Sequence, residues 1–309
     1  MKTIENKIVF SNDIKQILNG NNPLNYTYFN GSLPNTVSNT IDELRENFEK
    51  DVSKIFNGKY EIISEEDMQS SITLGTNKFI SKLPIVTLDA IYLKPNNETI
   101  YFLDCTRLDK ENNLVARNNM NDPYNVETQI SKLSNLFKLQ NQKEIIIADD
   151  VIYSGSVIEK IISLFNKYGI KVVSIIAAIS TIEAKERLLK SKNTPIFTDI
   201  ILGNTTIDQI CERDFYFGIV GSGIATRTES NIIKKAPYFY PFGDPITRAS
   251  IPKDKATYFS QNCLIRSLKL WESINKITTR YKLIKDLPEQ IANTNPEEEI
   301  IYTLKKGIK

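Results

Sequence analysis

Between Asn125 and Gly203 the apolar positions follow two rhythms that alternate along the chain. Val126, Ile130, Leu133 and Phe137 recur at the spacing of one helix face, and "EIIIA" is then continuously apolar. Ile158, Ile161, Ile162 and Phe165 restore the helical spacing up to Gly169, and "KVVSIIAAIS" is continuous again. Strands apolar on both faces, separated by amphipathic helices, are what a parallel sheet covered on two sides requires. A short helix, "TIEAKERLLKS", and a strand, "FTDIILG", extend the series. The pattern predicts an α/β fold with a parallel, twisted sheet flanked by helices.

Outside this stretch the pattern is less regular. Ile41, Leu44, Phe48, Val52 and Ile55 predict an amphipathic helix, with Thr40 and Glu43 as its capping box and Gly58 as its stop. The first 40 residues, dense in turn formers, predict an irregular or β-hairpin lead-in. From Leu83 to Arg107, "LPIVTLDAIYL" and "TIYFLDCTRL" flank "KPNNE" and predict a hairpin. The polar segment "DKENNLVARNNMNDPYN" that follows is longer than an ordinary connection and reads as a lid. Towards the C-terminus come the aromatic run "YFYPF", a helix from Cys263 to Ile277 containing Trp271, and a stretch from "DLPEQ" onward that reads as peripheral. Three regions follow: an N-terminal extension over 1–80, a core over 81–228 and a mostly helical C-terminal extension over 229–309.

Composition narrows the chemistry. The 309 residues are 41% hydrophobic and 25% charged, as in a soluble globular protein, and a formal charge of +2 gives no reason to expect nucleic acid as a partner. The start "MKTIENKIVF" lacks the apolar core of a signal peptide, and "VVSIIAAI" is too short to span a bilayer, so a cytoplasmic protein with no membrane partner is expected. Cys105, Cys211 and Cys263 lack metal-ligand spacing and are expected to be reduced and buried. There is no histidine. Its absence removes imidazole-based nucleophile pairs, zinc motifs and proton shuttles, and leaves carboxylates, cations, hydroxyls, backbone amides or a hard metal held by oxygen.

The segment with the most chemistry is "IIIADDVIYSGSV", residues 145–157. Open α/β sheets bind ligands outside the carboxyl ends of their strands, where this segment is expected to lie. Backbone amides of the loop from Val151 and Ile152 through Tyr153, Ser154, Gly155, Ser156 and Val157, at a helix N-terminus, suit a phosphate. Asp149 and Asp150 suit vicinal sugar hydroxyls or, through water, a magnesium ion. Together the parts describe a cradle for ribose 5-phosphate. The plainer alternative is a solvated strand end, with Ser156 and Glu159 as an ordinary capping box.

Four apolar residues, an acid pair, two apolar residues and a hydroxyl-glycine loop resemble the binding motif for phosphoribosyl pyrophosphate (PRPP) of the type I phosphoribosyltransferases. The resemblance covers roughly residues 80–225. It implies that Asp149 and Asp150 contact the ribose hydroxyls, that residues 151–157 hold the 5′-phosphate, and that Mg²⁺ accompanies the pyrophosphate. It further implies a phosphoribosyltransferase that binds PRPP or a nucleotide together with a small nitrogen-containing acceptor. Arg107, Lys110 and Arg117 become candidates for the leaving group under a hairpin lid, "TLGTNKF" a candidate pyrophosphate loop, and Asp214 and Phe215 candidates for a base site. Glycines 218, 221 and 223 read as a tight turn near that site. Two loop positions that carry hydroxyls in many members are Tyr153 and Val157 here, which leaves a noncatalytic, nucleotide-sensing protein as the alternative. The "YFYPF" run would suit a homodimer contact.

Overall fold

The helix-strand alternation is present, but the chain distributes its strands over more than one sheet. The computed structural model describes residues 1–308 except 80–81, 106, 109–113, 117–125 and 228–232, with backbone alone at 107, 108, 115, 225, 227 and 233. In chain order the first elements are β1 (Lys2–Ile4), β2 (Ile8–Ser11), α1 (Ile14–Leu18), α2 (Asn35–Phe56), β3 (Tyr60–Ile63) and α3 (Glu65–Asn77). Next come β4 (Ile85–Thr87), β5 (Ile100–Phe102), β6 (Arg107–Leu108), β7 (Leu114–Val115), α4 (Val126–Leu139), β8 (Glu144–Ile152) and α5 (Ser156–Lys167). They are followed by β9 (Lys171–Thr181), α6 (Ile182–Lys192), β10 (Ile196–Phe197), β11 (Ile200–Leu202) and β12 (Asp208–Cys211). The last are β13 (Ile224–Arg227), β14 (Ile233–Ala236), α7 (Pro245–Ala249), α8 (Ala256–Ile277) and α9 (Ile300–Gly307). Two units result, one of residues 1–6 and 64–206, the other of 7–63 and 207–309.

The first unit holds a sheet in the order β1-β11-β9-β8-β4-β5, with β10 also on β9, and every pairing in it is parallel. Ile145, Ile147, Val172 and Ile175 of the central strands form one cluster with Ile130 and Phe137 of α4 and Ile158, Ile161 and Phe165 of α5. Helix α3 packs on β9. It starts because the Ser64 side chain accepts the Asp67 N–H and because three acids, Glu65, Glu66 and Asp67, fill its first turn. It seats closely because Gly75 has no side chain: a Cβ there would lie 2.4 Å from Ile176 Cγ2. The Ser71 hydroxyl donates to the carbonyl of Ala178 at 2.9 Å.

The second unit has its own parallel sheet, β12-β2-β3. Its core is aromatic, with Phe10, Phe48, Phe215 and Phe259 at ring-centroid separations of 5.0–6.4 Å. Trp271, on α8, is fully buried and donates its indole N–H to Phe217 O at 2.7 Å. Charges that enter this core are paired: Arg45 with Glu212, Arg213 with Asp13, Arg266 with Asp51 and Lys235 with Glu289.

Several expectations change. The predicted hairpin of residues 83–107 is absent, because β4 and β5 pair in parallel, Ile85 opposite Ile100. "KPNNE" does turn, held by Asn96 Oδ1 accepting the N–H groups of Glu98, Thr99 and Ile100, but it lies on a crossover. The lead-in is irregular over residues 19–34, as expected, but it forms no hairpin, and before that stretch β1 joins the sheet of the first unit and β2 is the central strand of the second. Helix α2 begins at Asn35 after Pro34, since Val37 extends its buried stripe, and Thr40 is an interior residue whose hydroxyl donates to Thr36 O. Boundaries at 80 and 228 cut through both units, whose segments are discontinuous in sequence. The C-terminal stretch is core rather than periphery, with Ile291, Ile300 and Leu304 buried. Tyr238, Phe239 and Phe242 of the "YFYPF" run are buried as well, which removes the patch that suggested a homodimer. No helix among the described residues is long and apolar enough to cross a membrane.

Replacing Gly75 with Ala is expected to destabilise the protein by about 1–3 kcal/mol through overpacking against Ile176, although the same change in an exposed helix stabilises. A raised melting temperature for Gly75→Ala would contradict this packing. All three cysteines are buried, and burial pushes the Cys263 thiol up to about 11. Native protein at pH 8 is therefore expected to resist an aromatic disulfide reagent, with the thiols appearing only on denaturation. Rapid titration of Cys263 in the native state would refute its placement.

Candidate functional site

Strand β8 does not end where its apolar run ends. After Ala148 the ladder to β9 continues, Asp149 opposite Ala177, Val151 opposite Ile179 and Ile152 opposite Ser180. The acid pair therefore lies within the strand, and the connection to α5 shrinks to Tyr153, Ser154 and Gly155. Adjacent strand residues point to opposite faces, so the two carboxylates leave β8 in different directions. Asp150 is 7% exposed and its Oδ1 accepts the Val151 N–H at 2.7 Å. Asp149 is half-buried and its Oδ1 accepts the Asp150 N–H at 3.0 Å.

Strand order identifies where a ligand would enter. Of the core strands, β4 comes first in sequence, yet β5 flanks it on one side and β8 on the other. The connections leaving this point run in opposite senses, and in open α/β sheets it is at such a switch point, at the carboxyl ends of the strands, that ligands bind. Asp149 and Asp150 stand at one side of this switch point. The loop after β4 stands at the other: the Leu88 N–H donates to Ala148 O at 2.8 Å, and buried Asp89 accepts the N–H groups of Ile91 and Tyr92 through Oδ2 at 3.2 Å each. Asp89 was not singled out by the sequence pattern. An acid directly after a short apolar strand, as in "IVTLD", was the available signal.

The short loop is fixed by the next strand and helix. Thr181, the last residue of β9, donates its hydroxyl to Tyr153 O and accepts the Ala184 N–H, so one side chain caps α6 and anchors the loop. Gly155 adopts φ 72°, a left-handed conformation that favours glycine, and a Cβ there would come within 3.2 Å of Leu188 Cδ1. Between them Ser154 O accepts a 3.4 Å bond from Arg187 Nη1. The N-cap of α5 is Gly155, so Ser156 and Glu159 do not form the expected capping box. Glu159 instead bonds Ser191, which holds its carboxyl below the usual range, and accepts from Arg187 Nε at 3.0 Å. The hydroxyls of Ser154 and Ser156 lie 2.8 Å apart and bond each other. Tyr153 is 44% exposed, while Val157 is half-buried against the core.

Some of the other expected site residues fall outside the described residues, and some belong to the second unit. Arg107 begins β6, whose backbone pairs antiparallel with β7, so a small hairpin is present at the start of the polar segment; its side chain, and Lys110 and Arg117, lie outside the described residues. "TLGTNKF" is no loop: its first residues close α3, and Gly75 there serves helix packing. Asp214 and Phe215 belong to the second unit, where Phe215 is 1% exposed inside the aromatic cluster and Asp214 Oδ1 accepts the Gly223 N–H at 2.7 Å. Glycines 218, 221 and 223 do form a tight turn, all with positive φ, in that same unit. Among the described residues no group of three or more Cys, Asp or Glu side chains could hold a metal ion. Two carboxylates that leave the strand in different directions do not form one chelating pair; either one could reach, through water, a cation that a ligand carried with it.

No family model matches the chain, and no curated protein does. Among solved structures it is similar to an orotate phosphoribosyltransferase from Aeropyrum pernix, at 10% identity and a TM-score of 0.28, over 44% of this chain and 68% of that one. It is also similar to an adenine phosphoribosyltransferase from Rhodothermus marinus, at 13% identity and a TM-score of 0.26, over 44% of this chain and 77% of that one.

Proposed function

We propose that the first unit binds PRPP or a related ribose 5-phosphate at the carboxyl edge of its sheet and transfers the phosphoribosyl group to a small nitrogen acceptor. The observation that carries this reading is the coincidence, at the switch point between β4 and β8, of an acid pair and a glycine turn leading into the 12-residue helix α5. Amides at that helix start would take the 5′-phosphate, and a carboxylate of Asp149 or Asp150 would take the ribose hydroxyls. In the reaction the acceptor nitrogen forms a bond to C1 of the sugar, the bond from C1 to the pyrophosphate oxygen breaks with its electron pair, and the acceptor's proton passes to solvent. Magnesium on the pyrophosphate would supply neutralising charge to the leaving group. The chain's part is to orient the sugar and to stabilise the charge that develops at C1.

A second reading, a noncatalytic protein that senses PRPP or a nucleotide, is favoured by one feature. The candidate pyrophosphate loop begins inside helix α3, where Gly75 serves packing against Ile176.

The test is titration calorimetry of the pure protein with PRPP and Mg²⁺, followed by assay of pyrophosphate release across a panel of nucleobases. Binding is expected. Because the acids face opposite ways, one of Asp149→Asn and Asp150→Asn should weaken it by about tenfold or more, as hydrogen bonds to charged groups are worth roughly 1.5–3 kcal/mol, and the other much less. No binding by the unmodified chain would end the proposal; binding without pyrophosphate release would select the sensing function.

A further inference from the structure

The loop of residues 153–155 brings no cation of its own to a phosphate. Its side chains are a tyrosine, a serine and a glycine, and the Ser154 hydroxyl is already bonded to that of Ser156. A positive charge reaches the loop from a different element, the second turn of α6. Arg187 reaches back to donate Nη1 to Ser154 O at 3.4 Å and Nε to Glu159 at 3.0 Å. An arginine has five N–H donors in a planar fork, and these two bonds occupy one at Nη1 and the one at Nε. The side chain is 41% exposed, and these two bonds leave three of the five N–H donors over.

Resting on the reading just given, we propose that Arg187 is a direct ligand of the 5′-phosphate and that Glu159 is its orienting partner. Glu159 sits in the first turn of α5, where a lone carboxylate would oppose an incoming dianion. Pairing with Arg187 cancels that opposition and holds the guanidinium plane at the loop, leaving its outer edge to meet phosphate oxygens in the forked geometry such groups favour. Ala184 and Leu188, which flank Arg187 on the same helix, seat Gly155, while Thr181 ties down Tyr153. The cation and the loop are therefore fixed by one helix start and should move together.

Binding of ribose 5-phosphate and of PRPP to Arg187→Gln and Arg187→Lys, alongside the melting temperature of each unliganded variant, decides the matter. Arg187→Gln is expected to lose roughly tenfold or more in affinity for ribose 5-phosphate, the scale of one charge-assisted bond, with little change in melting temperature. Arg187→Lys should retain part of that affinity. Unchanged affinity in Arg187→Gln overturns the proposal. So does a loss shared equally by both variants and matched by a drop in melting temperature, because Arg187 would then be a prop for the loop and nothing more. Failure of the unmodified chain to bind either ligand overturns the underlying reading instead.

Discussion

The first unit depends on the parallel pairing of β8 with β9. These are its longest strands, nine and eleven residues, and their ladder runs from Glu144 opposite Lys171 to Ile152 opposite Ser180. The pairing fixes two things at once. Inside, Ile145, Ile147, Val172 and Ile175 make a dry layer against α4 and α5. At the carboxyl edge, the same ladder places Ile152 opposite Ser180, so the turn out of β8 sits beside the Thr181 cap of α6. A one-residue slip would exchange the two covered faces, moving Ile145 and Ile147 away from α4 and α5, and would unhook the loop, so core packing and site geometry select the same register.

What was legible in the sequence was local. Helices α4, α5 and α6 and strands β8 and β9 follow from periodicity because each buries a stripe or both faces whatever its neighbours are. The failures concern partners. β1 pairs with β11 and β2 with β12, each across roughly two hundred residues of sequence, and nothing within "KTI" or "IVFS" says which strand will lie alongside. β4 and β5 look like hairpin arms because a good turn lies between them; the asparagine turn is real, but the pairing sense is set by a sheet the turn does not encode. The division at 80 and 228 differs from that into two units for the same reason, since an extension and a central strand have the same local pattern.

The candidate site was legible in the order of its residues and less so in its geometry. Acids, glycine and helix start were readable in order from "IIIADDVIYSGSV", and the structure keeps that order at a switch point. The extended course of Asp149 and Asp150 was not readable, because polar residues at a strand end look like loop. Nor was the role of α6. Thr181 carried a signal, as a hydroxyl residue immediately before a helix, whereas Arg187 carried none: its nearness to Ser154 comes from packing two consecutive βα connections side by side.

The two units treat charge in opposite ways. In the second, Asp13, Asp51 and Glu212 are buried and each meets an arginine, so their energy is committed to the fold, and removing one partner would strand a charge in the interior. Burial also pushes the Asp13 carboxyl upward against the pull of Arg213, as expected where desolvation outweighs an ion pair. In the first unit the pair at the loop, Arg187 and Glu159, keeps side-chain exposures of 41% and 24%. Such a pair adds little to stability, but it can exchange one partner for another at small cost. Binding an anion requires that second kind of arrangement, which is why Arg187 is a better candidate for phosphate than the more deeply buried arginines of the second unit.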